Sequence, residues 1–175
     1  MHNTYKFGFI ATVFLALLGC SKSDRSSQPV VIAPGQFVLD EPSKLTGSKI
    51  QSSKRCSADT LNGQARSQKD RTWEIKRGEP VILKGWAAGL DDKQPYPEVF
   101  LRLTGAAQTY YALTTSRHMR PDATHFLQID SARPIGFELT AKTEQIEPGI
   151  YEMMIMQRGA GDIEGCDTDA LLIVN

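Results

Sequence analysis

Val99-Phe100-Leu101-Arg102-Leu103-Thr104 is the stretch on which the fold class turns. Val99, Leu101 and Leu103 alternate with Phe100, Arg102 and Thr104. A period of two puts the aliphatic set on one face of a strand and Arg102 on the other. Working outward, Pro80–Ala87 reads as a second strand, with Lys84 interrupting an apolar run. Ile150–Gln157 follows the turn signal Pro148-Gly149, and Ala170–Val174 makes a final strand. Thr72–Lys76, Thr109–Thr114 and Gly136–Thr140 are further candidates. About seven short strands separated by Gly/Pro turns predict an all-β chain, a single antiparallel β-sandwich of the Ig-like kind. Arg120–Leu127 departs from this pattern and predicts a helical turn, with Pro121 near its start. Met153, Met154 and Met156 read as flexible core filling.

The amino-terminal end has a different character. Lys6 precedes an uncharged, largely apolar run from Phe7 to Leu18. Twelve helical residues cover about 18 Å, short of the roughly 30 Å of a bilayer core. The run therefore reads as a secretory signal rather than a permanent span. It ends in Leu17-Leu18-Gly19-Cys20. That arrangement resembles the lipobox of bacterial lipoproteins. The resemblance implies a diacylglycerol thioether on Cys20, removal of residues 1–19, and a membrane partner through the lipid. With Ser21 after the cysteine, it also implies an outer-membrane location, the domain lying in the periplasm or at the cell surface.

With Cys20 lipidated, Cys56 and Cys166 are an even pair in an oxidising compartment, and a bridge is expected if their Cα atoms come within range. Residues 20–47 are polar and rich in turn residues, with short apolar islands at Val30–Ile32 and Phe37–Leu39. They read as the lipidated cysteine and a flexible tether, leaving 48–175 as the sandwich domain.

Across 175 residues, 20 Lys/Arg balance 20 Asp/Glu. No global basic field exists to attract nucleic acid, and no nucleic-acid partner is expected. Eleven Lys/Arg against six Asp/Glu lie between Ser21 and Arg77, and the rest of the chain is acidic. This imbalance reads as a solvated tether with scattered charges; the alternative is attraction of basic residues near a lipid anchor to an anionic leaflet.

Catalytic patterns are mostly missing. No Gly-x-Ser-x-Gly elbow occurs. Gly159-Ala160-Gly161-Asp162-Ile163-Glu164-Gly165 has the wrong last spacing for a phosphate cradle and reads as a turn or loop. Asp91-Asp92 reads as a solvated hairpin, and Asp162, Glu164, Asp167 and Asp169 lack anything to set a substrate beside them. Cysteines and histidines lack metal-ligand spacing, so neither metal nor cofactor is expected. The most suggestive group is Tyr110, Tyr111, Arg117, His118, Arg120 and Asp122, with Trp86. Aromatic faces beside arginine forks hold sugars or acidic groups. Trp86, Tyr110, Arg117, Arg120 and Asp122 are the candidate ligand-binding residues. The alternative is that Trp86 packs in the core and an arginine pairs with Asp122 to pin a loop.

Leu61-Asn62-Gly63, Gly85-Trp86-Ala87, Arg120-Pro121-Asp122-Ala123, Gly136-Phe137 and Pro148-Gly149-Ile150-Tyr151 resemble pieces of a β-sandwich module of bacterial envelope proteins. That module is sometimes fused to enzymes of surface-polysaccharide work. The resemblance carries no catalytic set and implies an accessory or binding role, with an envelope glycan or protein as ligand. The alternatives are a structural subunit of an envelope complex and, third, a hydrolase using Asp91/Asp92 or His118 with Asp122.

Overall fold

A computed structural model of the chain describes residues 31–67, 69–90, 96–158 and 162–175. Residues 1–30, including the signal segment and Cys20, lie outside the described residues, as do Asp91, Asp92, Gly159 and Gly161. Twelve strands and one short helix occur among those described. In chain order they are β1 (Phe37–Val38), β2 (Ile50–Ser53), β3 (Cys56–Leu61), β4 (Gln64–Ala65), β5 (Thr72–Ile75), β6 (Val81–Ala87), β7 (Val99–Thr104), β8 (Thr109–Thr114), β9 (Arg117–His118), α1 (Pro121–Leu127), β10 (Gly136–Ala141), β11 (Gly149–Arg158) and β12 (Ile163–Val174).

The strands form two sheets. The large one runs β1-β8-β7-β11-β12-β2, with β5 also on β12, and the small one runs β4-β3-β6-β10-β9. The all-β expectation holds, but the strand number and the uniform direction do not. Both β2 and β5 run parallel to β12, one along Ile163–Cys166 and the other along Leu171–Val174. Between these halves Asp169 takes a left-handed φ of 50°. The irregular step ends one pairing and begins the next. Glu164 therefore sits on a strand, where the sequence suggested a turn or loop over Gly159–Gly165, and Asp167 and Asp169 lie on the same strand.

Period two explains the core. Val99, Leu101 and Leu103 of β7 face Leu83 of β6 and Phe137 and Leu139 of β10, all buried in one cluster with Tyr151, Met153 and Leu172. Each such side chain contributes roughly 1.5–3 kcal/mol by leaving water. Lys84 points the other way, onto the outer face of the small sheet, where it pairs with Glu138 at 3.0 Å.

The outer face of the large sheet is apolar as well. Phe100, Leu113, Met156 and Ile163 stand there, and Ile32, Val38 and Leu45 close over them. Phe37, on β1, reaches the main core and pairs with Ala112 of β8. The reading of 20–47 as tether is thus corrected for its described part. From Ile32 onward the segment is a strap bound to the domain, because the sheet beneath exposes more apolar area than water tolerates.

Cys56 and Cys166 are joined, with Cα atoms 6.2 Å apart. The link ties β3 of the small sheet to β12 of the large one. It stands where the chain passes from β2 to β3 through Lys54 and Arg55, leaving one sheet for the other.

Candidate functional site

Four of the five candidate residues gather around one end of the small sheet. The row His118, Gly136, Trp86, Ser57 runs across β9, β10, β6 and β3. Gly136 is flat by necessity. A Cβ there would come within 2.6 Å of His118 and 2.7 Å of the Arg120 Cγ. The Arg120 stem crosses this gap. Its Nη1 donates to Asp59 on β3 at 2.5 Å, while Nε and Nη2 donate to Asp122 at 2.9 and 2.6 Å. This two-point fork is the strongest form of the Arg–carboxylate pair. Asp122 also stands in the first turn of α1, where a negative charge suits the helix dipole.

The bond from Arg120 holds the Asp122 carboxyl down at about 2, below its usual 3.8, and Asp122 in turn raises the Arg120 pKa. A carboxyl depressed in the folded state stabilises fully above its unfolded pKa and loses that contribution as pH falls through the folded value. Between pH 4 and pH 2 the start of α1 is therefore expected to loosen. Amide exchange at Ala123 and Thr124 reads this out, and Asp122→Asn should abolish the pH dependence in that window. Unchanged exchange across it would show that the fork does not steady the start of α1.

Trp86 packs under the helix with Ala88, Ala123, Leu127, Ile129 and Ile135. Its indole closes a small apolar cluster on the outer face of the sheet, and α1 lies over it. Phe126, on the same helix, is 77% exposed, and Met119 just before it is 46% exposed.

Arg117 turns away from this surface into the end of the sandwich. Nε and Nη2 donate to the Tyr96 carbonyl at 3.0 and 2.7 Å. Nη1 donates to the carbonyls of Ile135 at 3.1 Å and Ala87 at 3.4 Å. Nη2 also donates to Gln157 Oε1 at 2.7 Å. All five donors of the fork are engaged. Burial lowers the Arg117 pKa to about 10, so the group remains charged at neutral pH. Beside Gln157 stands Glu164, which accepts from the Leu90 amide at 2.8 Å and the Tyr96 hydroxyl at 2.9 Å. The void lined by Arg117, Tyr96, Gln157 and Pro134 is about 10 Å³, no more than one water needs. Arg117 is a cross-sheet pin rather than a ligand fork.

Tyr110 does not join the group. It is fully buried on the inner face of the large sheet, edge-on to Tyr151 with ring centres 5.7 Å apart. Its hydroxyl donates to Gln108 and accepts from the Glu147 amide. His118 is exposed on β9, and Asp122 is held by Arg120 rather than turned toward the imidazole. Among the described residues, no three His, Cys, Asp or Glu side chains gather to hold a metal.

Arg102, known from the sequence only as the polar face of β7, is the residue that was missed. Its outer-face row runs Val38, Tyr111, Arg102, Met154, Asp167 across β1, β8, β7, β11 and β12. Its Nε is buried and has no hydrogen-bond partner among the described residues. A buried donor left unmade costs about 1–3 kcal/mol, and more when charged. The only signal in the sequence was Phe100, an aromatic at an outward position beside it. Burial and Glu41 push up the pKa of the neighbouring Tyr111 hydroxyl, and Arg102 opposes them.

An open groove of about 510 Å³ lies at the end of the same sheet, between Gly105–Gln108 and Glu147–Tyr151. Set against known proteins, the chain matches no family model and no curated protein sequence.

Proposed function

We propose that the chain is a lipoprotein of the bacterial outer membrane, anchored through Cys20, whose sandwich domain binds an envelope ligand without catalysing a reaction. The observation that carries this reading is the bridge between Cys56 and Cys166. Such links persist in oxidising compartments and are rare in the cytosol, in keeping with export behind the Leu17-Leu18-Gly19-Cys20 signal. The strap adds a geometric consequence. Because Ile32 is already seated on the domain, only residues 21–31 separate it from the anchor. Fully extended, that length spans at most about 40 Å, so the domain works close to the bilayer.

Arg117, Arg120 and Asp122 serve this role as framework: they hold the end of the sandwich and the start of α1. A second reading, a structural subunit of an envelope complex, draws on the exposed Phe126 and Met119. Labelled palmitate should enter the native protein and be absent from Cys20→Ser. Envelope pull-downs and glycan arrays should yield a saturable partner. A stable stoichiometric assembly would favour the subunit. An unlabelled product free in the medium would end the lipoprotein reading.

A further inference from the structure

We infer that the end of the sandwich that carries α1 rests on the bilayer, with Phe126 and Met119 entering the lipid headgroup layer beside the tether. This rests on the lipid anchor proposed above and gives the domain an orientation. The first observation is where the strap leaves the domain. Phe37 and Val38 pair antiparallel with Ala112 and Tyr111, so the chain before them follows β8 toward Thr114. Pro34 and Gly35 line a hollow with Leu113, Thr114 and Ser116, and Ile32 packs in one cluster with Phe100, Leu113 and Ile163. Thr114, Val99 and Gln157 form a single row across the large sheet, the row that Arg117 pins. Val31, 81% exposed, therefore leaves the sandwich at the same end as α1.

The second observation is how the exposed apolar side chains divide. Eight large ones are exposed among the described residues, and five of them stand at this end. Val31 leads into the strap, Ile50 pairs with Ile163, and the Leu90 amide donates to Glu164. Met119 follows His118 of β9, and Phe126 lies on the helix that covers Trp86. Ile82 and Ile150 lie toward the other end, opposite Thr140 and Ile173. The acids beside the five are already engaged. Arg120 holds Asp59 and Asp122, Lys44 holds Glu98, Asp162 accepts from Gln51, and Asp130 accepts from the Ala132 amide. Lys49 and Lys54, exposed at the same end, suit phosphate headgroups. The five apolar side chains project from separate segments. A fluid headgroup layer takes such side chains one by one, without the matched surface that a protein partner needs. The bilayer is also the surface to which residues 21–31 tie this end, within about 40 Å. The groove between Gly105–Gln108 and Glu147–Tyr151 lies at the other end and then opens away from the membrane.

Site-directed labelling tests this in the lipidated protein, held in vesicles of phosphatidylethanolamine and phosphatidylglycerol. On the anchor reading Cys20 carries lipid, and Cys56 is bonded to Cys166, so an added cysteine is the one free thiol. Phe126→Cys, Met119→Cys and Ile150→Cys replace exposed side chains, and each receives a fluorescent nitrobenzoxadiazole group. Nitroxide-bearing lipid should quench the labels at 126 and 119 at least threefold more than the label at 150, and the first two emissions should shift to the blue. Quenching at 126 no stronger than at 150 would overturn the assignment. If position 126 is then shielded from iodide in native envelopes alone, a protein covers this face in place of lipid. Palmitate on Cys20 with position 126 left in water keeps the anchor and removes this contact. A chain without palmitate removes the anchor and this orientation with it.

Discussion

Replacing Cys56 and Cys166 by serine is expected to lower the stability of the domain by about 4–5 kcal/mol. The link closes a loop of 110 residues, nearly the whole folded part of the chain. In the chain-entropy model a loop that long removes much of the freedom of the unfolded chain. It also stands where the chain changes sheets. Just before it, Arg55 is fastened by its amide to Ser53 Oγ at 3.1 Å and by its carbonyl to the Ala88 amide at 2.9 Å. Without the link, the two sheets are held there by these hydrogen bonds and by packing. Total stabilities of about 5–15 kcal/mol make such a loss severe, and a fall in Tm of roughly 15 °C corresponds to it in a domain this size. Urea unfolding with and without reductant checks the figure, since reduction of the native protein should reproduce the double variant. A change below about 1 kcal/mol would show that the two sheets need no tie at this corner.

Arg117→Met is the second large loss, about 3–5 kcal/mol. The guanidinium holds the Tyr96, Ala87 and Ile135 carbonyls and the Gln157 amide oxygen at once. Tyr96 and Gln157 reach it from outside the small sheet, so the loss also releases the contact between the layers. Methionine fills similar volume and offers no donor, which leaves those acceptors buried and unmade. Arg117→Lys should recover only part of the loss, because an ammonium cannot span four acceptors set around a planar fork. Chemical denaturation should show a lower midpoint with an unchanged slope. If Arg117→Met is as stable as the native protein, the polar cluster is not what locks this end of the sandwich.

The main architecture was legible where one face of a strand is buried and the other is wet. The alternation around Leu101, the run before Ala87 and the segment from Thr109 to Thr114 each become a strand of the expected place. The helical turn after Arg120 was legible from Pro121. The pairing of Cys56 with Cys166 followed from an even count in an oxidising setting. The strap was not legible. Ile32, Phe37 and Leu45 are separated by turns and obey no period, so their burial depends on a surface assembled from distant strands. Phe100 was the one hint that this surface needed a cover. The parallel pairs on β12 left no trace either, because strand direction is written in neither periodicity nor turns. Of the candidate site, residue types misled. Arg117 and Tyr110 carry the chemistry of binding, but their polar atoms are used within the fold. Arg102 reads as an ordinary outward charge, and only the assembled sheet buries its Nε away from any hydrogen-bond partner among the described residues.

The twelve-residue strand Ile163–Val174 bears on how the protein comes into being. β11, β2 and β5 all lie against it, and it holds Cys166. It is also the final strand in chain order, so β2 and β5 wait through more than half the length of the polypeptide for the neighbour they require. Pairings so remote along the chain form slowly. A nascent chain without Ile163 onward has no seat for those two segments and lacks Cys166, the partner of Cys56. Maturation is therefore expected only once Ile163–Val174 has emerged, and products terminated before it should fall to proteases rather than persist as partial domains.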